Sequence, residues 1–139
     1  RHVLTKSKCL SADVNAGFDP TYASVYDPIN SSYVNNGVVI TKYTGSGGKY
    51  DTSDASAEFM FEVRKILSDN NIIWQPGELG KVDAGGGGTV AKFIANLNVD
   101  VVDLGLPVLS MHSPFEVVSK TDTYMAYKTF KSFFETPIK

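Results

Sequence analysis

The sequence predicts an α/β domain with a mixed, largely parallel sheet flanked by helices. Strand patterns alternate with helix patterns along the chain, as in sheets that carry helices on their faces. The run VDVVDLG, residues 99–105, is almost continuously apolar, which is typical of a strand covered on both faces. The segment SDASAEFMFEVRKILSDNN, residues 53–71, places apolar side chains on one helix face, namely Phe59, Val63, Ile66 and Leu67.

The other elements follow from local patterns. Apolar and β-branched runs predict strands at residues 9–14, 37–43 and 72–74, in addition to the strand at 99–105. The first helix is expected to be capped by Ser53 or Asp54 and to end at Asn70–Asn71. Residues 15–36, 44–51 and 75–88 are rich in Gly, Asn, Asp, Pro and Ser, and are predicted as loops.

Two further helices are predicted in the second half of the chain. One begins near Thr89 in the segment TVAKFIANLN. The closing segment SKTDTYMAYKTFKSFFE, residues 119–135, has an aromatic stripe at helical spacing, and such a stripe usually packs in a core. The stripe is therefore interpreted as core, and its members are Tyr124, Tyr127, Phe130 and Phe134.

Composition limits the class of protein. The 139 residues are the length of one domain, and 42% hydrophobic with 20% charged residues is typical of a globular chain. A net charge of -2 gives no electrostatic reason to expect nucleic acid or an anionic membrane as a partner. The single cysteine, Cys9, cannot form an intrachain disulfide, which favours a reducing, cytoplasmic compartment. The chain opens with Arg1 rather than Met, so we expect it to be part of a longer protein.

Two side chains that could bind a metal follow predicted strands. Asp13 comes after CLSA, and His112 comes after VLSM. Open α/β sheets bind ligands beyond the carboxyl ends of their strands, and carboxylate and imidazole suit Zn²⁺, Mn²⁺ or Co²⁺. Two ligands do not make a site, however. A turn-forming Asp and a structural His remain alternatives at this point.

The glycine run DAGGGGTVAKF, residues 83–93, allows three interpretations. It could cradle a phosphate, although Gly88 is followed by Thr89 and Val90 rather than by the Lys and Ser or Thr of a phosphate-binding loop. It could be a structural turn, or it could line a site that a peptide backbone or a carboxylate approaches closely. The residues alone do not decide among these.

Three motifs on different elements carry a resemblance to a known family, and this resemblance favours one interpretation of Asp13, His112 and the glycine run. The segments SADVNAGFDPTY, GELGKVDAGGGGTVAKFIA and VDVVDLGLPVLSMHSPFE, with GVVITKYTGSGGKY between the first two, occur in an order and at spacings that extend over nearly the whole chain. Together they resemble the C-terminal part of the catalytic domain in the dinuclear metallo-aminopeptidase family of aspartyl aminopeptidase and vacuolar aminopeptidase I.

The resemblance implies a role for each motif. Asp13 of SAD and His112 of MHS would each bind one of two divalent ions, with zinc the default and cobalt or manganese as alternatives. Gly88, Thr89 and Thr41 would line the substrate pocket. The general-base Glu and the remaining ligands would lie upstream of Arg1, so residues 1–139 would be the C-terminal portion of one catalytic domain and inactive alone. Peptides are the implied substrates, and the implied assembly is a homo-oligomer.

Departures from the family pattern bear on the substrate. Aspartyl members carry histidines where Asn15 and Asp19 stand, and a Lys where Thr41 stands. Lys42 is next in the chain and would point to the opposite face of the strand. Without a lysine at position 41, a neutral or apolar N-terminal residue is expected in the substrate rather than Asp or Glu.

Two alternatives to an aminopeptidase stay open on the sequence. One is a non-catalytic module that binds phosphate or a nucleotide through the glycine run. The other is a member of the same family that has lost catalysis and survives as an assembly subunit.

Overall fold

The structure is a computed structural model that describes residues 2–44, 52–81 and 84–137. Most of the expected glycine loop at 44–51, together with Asp83 at the start of the glycine run, lies outside the described residues. In chain order, the strands and α-helices are β1 (Lys8–Ser11), β2 (Asn15–Ala16), β3 (Val38–Thr41), β4 (Tyr43–Thr44), β5 (Ser53–Asp54), α1 (Ala57–Asp69), β6 (Trp74–Pro76), α2 (Ala91–Ala95), β7 (Asp100–Gly105), β8 (Pro107–Val108) and α3 (Lys120–Glu135).

The main sheet has four strands in the order β1-β7-β3-β6. The outer pairs β1–β7 and β3–β6 are parallel, and the central pair β3–β7 is antiparallel. The predicted mixed, largely parallel sheet is confirmed. Because β1 and β7 run in the same direction, the loops that follow them leave from the same edge of the sheet.

Two short pairs lie outside the main sheet. Strand β2 pairs in parallel with β8, and β4 pairs with β5 in the antiparallel sense. Two 3₁₀ segments, Leu4–Lys6 and Pro20–Val25, were not predicted, and the second is interrupted at Tyr22 by non-helical backbone angles. Its N-cap is Asp19, whose carboxylate accepts a hydrogen bond from the Thr21 amide at 2.8 Å.

Helix α1 confirms the predicted apolar face. Its four buried residues are Phe59, Val63, Ile66 and Leu67. The predicted cap was wrong, because Ser53 and Asp54 form β5 and the cap is Ser56, whose hydroxyl accepts a hydrogen bond from the Phe59 amide at 3.2 Å. The sequence holds several cap-type residues in succession here, and only the β4–β5 pairing decides which one begins the helix.

Helix α3 shows that the predicted aromatic core was wrong. Tyr124, Tyr127 and Phe134 are 58%, 61% and 82% exposed, and only Phe130 packs partly against the core. The buried residues of the helix are instead Asp122, Thr129, Ser132 and Phe133. Asp122 decides the orientation, since its carboxylate accepts hydrogen bonds from the Asn35 and Gly37 amides at 2.6 and 2.8 Å.

The two faces of the sheet have different partners. On one face, Val38, Ile40, Val102 and Leu104 join α1 and α3 in the apolar core. Side chains alternate along a strand, so Asp103 and its cross-strand partners Ser11 and Thr41 lie on the other face. Helix α2 packs against β7 there. One face of the sheet is therefore apolar, and the other is polar near the strand ends.

Several boundaries differ from the prediction. Strand β1 ends at Ser11 rather than Val14, and β6 is Trp74–Pro76 rather than residues 72–74. Helix α2 begins at Ala91 and is five residues long. Within the described residues, none of the helices combines the length and apolar character that crossing a membrane would require.

Candidate functional site

A cleft of about 410 Å³ opens where the loops after β1 and β8 meet the glycine run. Of the residues that the sequence singled out, Asp13, Gly88, Thr89 and His112 all line it. The remaining described lining residues are Val14, Ala16, Val25, Tyr26, Leu79, Gly80, Gly86, Gly87 and Met111. The three sequence motifs thus meet around one concavity, although they lie far apart in the chain.

Asp13 stands two residues beyond β1, where the chain crosses over β7. Its amide donates to the carbonyl of Ser11 at 2.9 Å, and its Oδ1 accepts from the Val14 amide at 2.9 Å. The Asp13 carbonyl lies against Gly105, where an added Cβ would come within 1.5 Å of the carbonyl oxygen. Only a residue without a side chain allows this crossing, so Gly105 sets the position of the Asp13 backbone.

His112 lies in a compact loop that is closed by an antiparallel bridge between Leu109 and Val117. Ser110 and His112 both have left-handed backbone angles, with φ of 57° and 68°. Such angles are uncommon outside glycine and cluster at functional sites. The His112 amide donates to Glu116 Oε1 at 2.5 Å, which holds the backbone in this conformation while the imidazole stays exposed.

The glycine run forms the opposite wall. Gly86 has a φ of 142°, a conformation that L side chains rarely adopt. A Cβ on Gly88 would meet no atom within 4 Å, so this position has open space beside its backbone. Thr89 follows as the anchor of the run, because its hydroxyl accepts from the Ala91 amide at 3.2 Å and donates to Asp103 Oδ2 at 2.8 Å.

Asp103 is a buried carboxylate beneath this wall, and the sequence reasoning missed it. Its Oδ2 also accepts a hydrogen bond from Thr44 Oγ1 at 3.0 Å. Burial raises the pKa of Asp103, the hydroxyls of Ser11, Thr89 and Thr44 lower it, and the negative charge of Asp13 raises it. The Ser11 hydroxyl lies near the carboxylate without a well-formed hydrogen bond. Among the described residues, neither Ser11 Oγ nor Asp103 Oδ1 has a hydrogen-bond partner. A carboxylate inside an almost continuous apolar strand was the available signal.

Thr41, which the sequence analysis placed in the substrate pocket, is not among the residues that line the cleft. It is buried in β3, where its hydroxyl accepts from Asn15 Nδ2 at 2.9 Å. The Asn15 amide oxygen in turn accepts from Ser32 Oγ at 2.9 Å. Lys42 forms an ion pair with Asp54. Asn15 and Thr41, two positions at which the resemblance implies a departure from aspartyl aminopeptidases, therefore contact each other.

The donor set bears on metal binding. A carboxylate and an imidazole are both ordinary zinc ligands. Within residues 2–44, 52–81 and 84–137, however, no group of three His, Cys, Asp or Glu side chains is arranged to hold a metal ion. The described residues fit one side of a metal site by their chemistry, and they do not complete its ligand set.

The sheet and its cleft beyond the strand ends define a hydrolase-like α/β domain. Residues 1–134 match the family described as aminopeptidase I zinc metalloprotease (M18). The chain belongs to this M18 family. A probable M18 family aminopeptidase 1 from Thermotoga maritima is 48% identical over 133 residues, which are 96% of this chain and 30% of the relative.

Solved structures agree with the family match. Aminopeptidase I from Clostridium acetobutylicum superimposes with a TM-score of 0.88 at 46% identity, over 93% of this chain and 28% of that one. A dodecamer of the yeast protein mApe1 has a TM-score of 0.73 at 23% identity, over 96% of this chain and 28% of that one, which is a likeness of fold alone. The chain thus spans about 30% of the length of the relatives it matches.

Proposed function

We propose that the complete protein is a metal-dependent aminopeptidase that removes neutral or apolar residues from the N-termini of peptides. Membership of a zinc metalloprotease family supports the reaction class. The single observation that carries the proposal is the cleft shared by Asp13, the glycine run and His112. We further propose that residues 1–139 are the C-terminal portion of one catalytic domain.

In this proposal, Asp13 and His112 each bind one of two divalent ions. The ions are zinc by ligand type, with cobalt or manganese as alternatives. Bound zinc would act as a Lewis acid towards water and the scissile carbonyl. The other ligands and a general-base Glu are proposed to come from the part of the protein outside these 139 residues, so that this chain alone is inactive.

The residues of this chain have separable tasks. Asp13 contributes negative charge, and the close packing of its carbonyl against Gly105 fixes the position of its backbone. His112 binds as a neutral imidazole, and Glu116 holds its backbone through the amide hydrogen bond. The open space beside Gly88 admits an extended peptide backbone, which would reach Thr89 at the end of the wall.

The lining of the cleft supports a neutral or apolar substrate side chain. Its apolar members include Val14, Val25, Leu79 and Met111. None of the described lining residues is Lys or Arg, so no cation is available there to pair with an acidic side chain. Lys42, the nearest lysine in sequence to Thr41, pairs with Asp54 instead.

The phosphate-binding alternative lacks support. Helix α2, which follows the glycine run, has only five residues, so its dipole is small, and its Ala91 amide already donates to the Thr89 hydroxyl. The other alternative, a subunit that has lost catalysis, shares the fold with the active form, and an assay separates the two.

The test uses the complete protein, freed of metal and then reloaded with zinc. We expect hydrolysis of leucyl substrates to exceed that of aspartyl substrates, and we expect His112→Ala and Asp13→Asn to lose activity by at least about a hundredfold. His2→Ala is the matched control, because His2 is an exposed histidine that does not line the cleft. Wild-type rates in the His112→Ala variant would refute the ligand assignment. An inactive wild type with intact upstream ligands would favour the assembly subunit.

We also propose that the protein is a homo-oligomer in the cytoplasm. The dodecameric yeast structure shares only its fold with this chain, so the assembly rests mainly on the family resemblance. The free thiol of Cys9 is compatible with a reducing compartment. Light scattering coupled to gel filtration of the complete protein tests the assembly, and a monomeric mass would contradict it.

A further inference from the structure

The buried carboxylate of Asp103 lies beneath the glycine wall of the cleft and links it to β4. Asp103 lies in the middle of the sheet, is 5% exposed, and is paired with Ser11 on one side and with Thr41 on the other. Its side chain lies on the face that carries α2 and the glycine run, opposite the apolar core. An ionisable group in such a place requires compensating polar contacts.

Those contacts converge on Thr89. Asp103 Oδ2 lies 2.8 Å from Thr89 Oγ1 and 3.0 Å from Thr44 Oγ1, and the two hydroxyls are 3.0 Å apart. A hydroxyl has one proton to donate and lone pairs to accept. Thr89 donates its proton to Asp103 and accepts from the Ala91 amide, so one side chain ties the carboxylate to the first turn of α2.

The glycine run needs such an anchor. Beyond its chain neighbours, Gly88 has no atom within 4 Å of its Cβ position, and Gly86 has a backbone conformation open mainly to glycine. A run of glycines carries no side chains of its own to hold it against the sheet, and glycine loses the most conformational freedom on folding. Thr89 is the first residue after the run with a side chain, and that side chain is bonded to Asp103.

We propose that Asp103 is a positioning residue that acts through Thr89, fixing the Gly86–Thr89 wall at a set distance from the crossing that presents Asp13. The same carboxylate lies near enough to Asp13 for the negative charge of Asp13 to raise its pKa. Loss of the Asp103–Thr89 bond releases the wall while the ligand side of the cleft stays in place. The consequence for peptide binding rests on the proposed function, whereas the consequence for the wall does not.

The first measurement is hydrogen–deuterium exchange of the metal-free complete protein. We expect Asp103→Asn and Thr89→Val to speed exchange of the amides at residues 86–91 by about tenfold, the equivalent of one hydrogen bond. Thr89→Ser keeps the hydroxyl and is expected to keep the protection. Asp122→Asn is the matched control, since it makes the same change in a buried carboxylate that binds amides far from the cleft.

Combining the variants separates positioning from general stabilisation. If Asp103 acts through Thr89, the double variant Asp103→Asn/Thr89→Val exchanges no faster at 86–91 than either single variant. Additive acceleration, or unchanged exchange in Asp103→Asn, would overturn the proposal. Should Asp103→Asn fail to fold, Thr44→Val removes one neighbouring hydroxyl, and we expect a smaller acceleration at the same amides. Unchanged exchange there would also count against the proposal.

The second measurement uses peptide hydrolysis by the zinc-loaded protein. We expect Asp103→Asn to raise KM about tenfold and to change kcat by less than about threefold, because the wall contacts substrate in the ground state and the transition state alike. A fall in kcat at constant KM would overturn the assigned role. If the wild type proves inactive, the proposed function fails, and the exchange result still decides whether Asp103 positions the wall.

Discussion

The carbonyl oxygen of Asp13 lies directly against the α-carbon of Gly105. A Cβ on Gly105 would be 1.5 Å from that oxygen and 2.5 Å from the carbonyl carbon, distances at which the backbone itself must move. The turn that presents Asp13 therefore depends on a glycine in a different strand.

We predict that Gly105→Ala displaces Asp13 and destabilises the protein by at least about 3 kcal/mol, the cost of forcing overlap into packed backbone. Zinc affinity should fall with it. Isothermal titration of zinc and urea denaturation measure the two effects. Gly88→Ala is the control for stability, since its Cβ meets open space, and its unfolding midpoint should equal or exceed that of the wild type. A Gly105→Ala protein of normal stability would contradict the crossing.

A second prediction concerns Asp122, which is 1% exposed and joins the start of α3 to the loop at residues 35–37. Asp122→Ala leaves two amides without their acceptor and should cost about 3 kcal/mol of unfolding free energy. Asp69→Ala removes an exposed carboxylate paired with Lys65 and should cost less than about 1 kcal/mol. Equal losses of unfolding free energy in the two variants would show that the buried hydrogen bonds to Asp122 contribute no special stability.

The pH dependence of stability should carry the signature of Asp103. Burial raises the pKa of this carboxyl above its ordinary 3.8. As pH rises from 3.8 towards the raised value, the unfolded chain releases a proton that the folded chain retains, so the contribution of Asp103 to stability falls and then levels off. Urea denaturation of metal-free protein across this range should show a shallower decline in Asp103→Asn. Parallel curves for the two proteins would be inconsistent with the raised pKa.

The thiol of Cys9 provides an independent probe of the same region. Burial, and then the charge of Asp103, raise the pKa of Cys9 above its ordinary 9.0, and the thiolate is the reactive form. Iodoacetamide should therefore alkylate Cys9 more slowly in the folded chain than in urea, and Asp103→Asn should speed the folded reaction. Mass spectrometry follows the label. Equal rates in the folded and unfolded chain would contradict the shift.

The sequence predicted elements well where one local rule acted alone. Helix α1 has a single apolar face, and its periodicity identified all four buried residues. Helix α3 has two candidate faces, and the aromatic one was chosen, whereas a hydrogen bond donated to Asp122 by the Gly37 amide, 85 positions away, decided the orientation. Tertiary contacts of this kind leave no local signal, because they depend on which loop the fold brings to the helix.

The candidate site was likewise predicted only in part. Residue chemistry made Asp13 and His112 candidates, and the resemblance of three ordered motifs was needed to connect them. Gly88 and Thr89 line the cleft, and their role in a substrate pocket stays a prediction, while Thr41 is buried against Asn15. Asp103 went unnoticed because its strand was interpreted through its apolar neighbours. Its role becomes visible only when β4, β7 and the glycine run are placed together.

The pairing of β1 with β7 has a consequence for how the protein folds. Cys9 is matched with Val101, so β1 finds this partner only after the chain has been synthesised as far as β7. Contacts between such distant segments form slowly, since a long loop must close before any hydrogen bond compensates its entropy. Asp13 and His112 lie beyond the ends of the segments that this closure joins, so the cleft that both line depends on a long-range pairing. In a newly made chain, Asp13 and His112 therefore stay apart until β1 and β7 have paired.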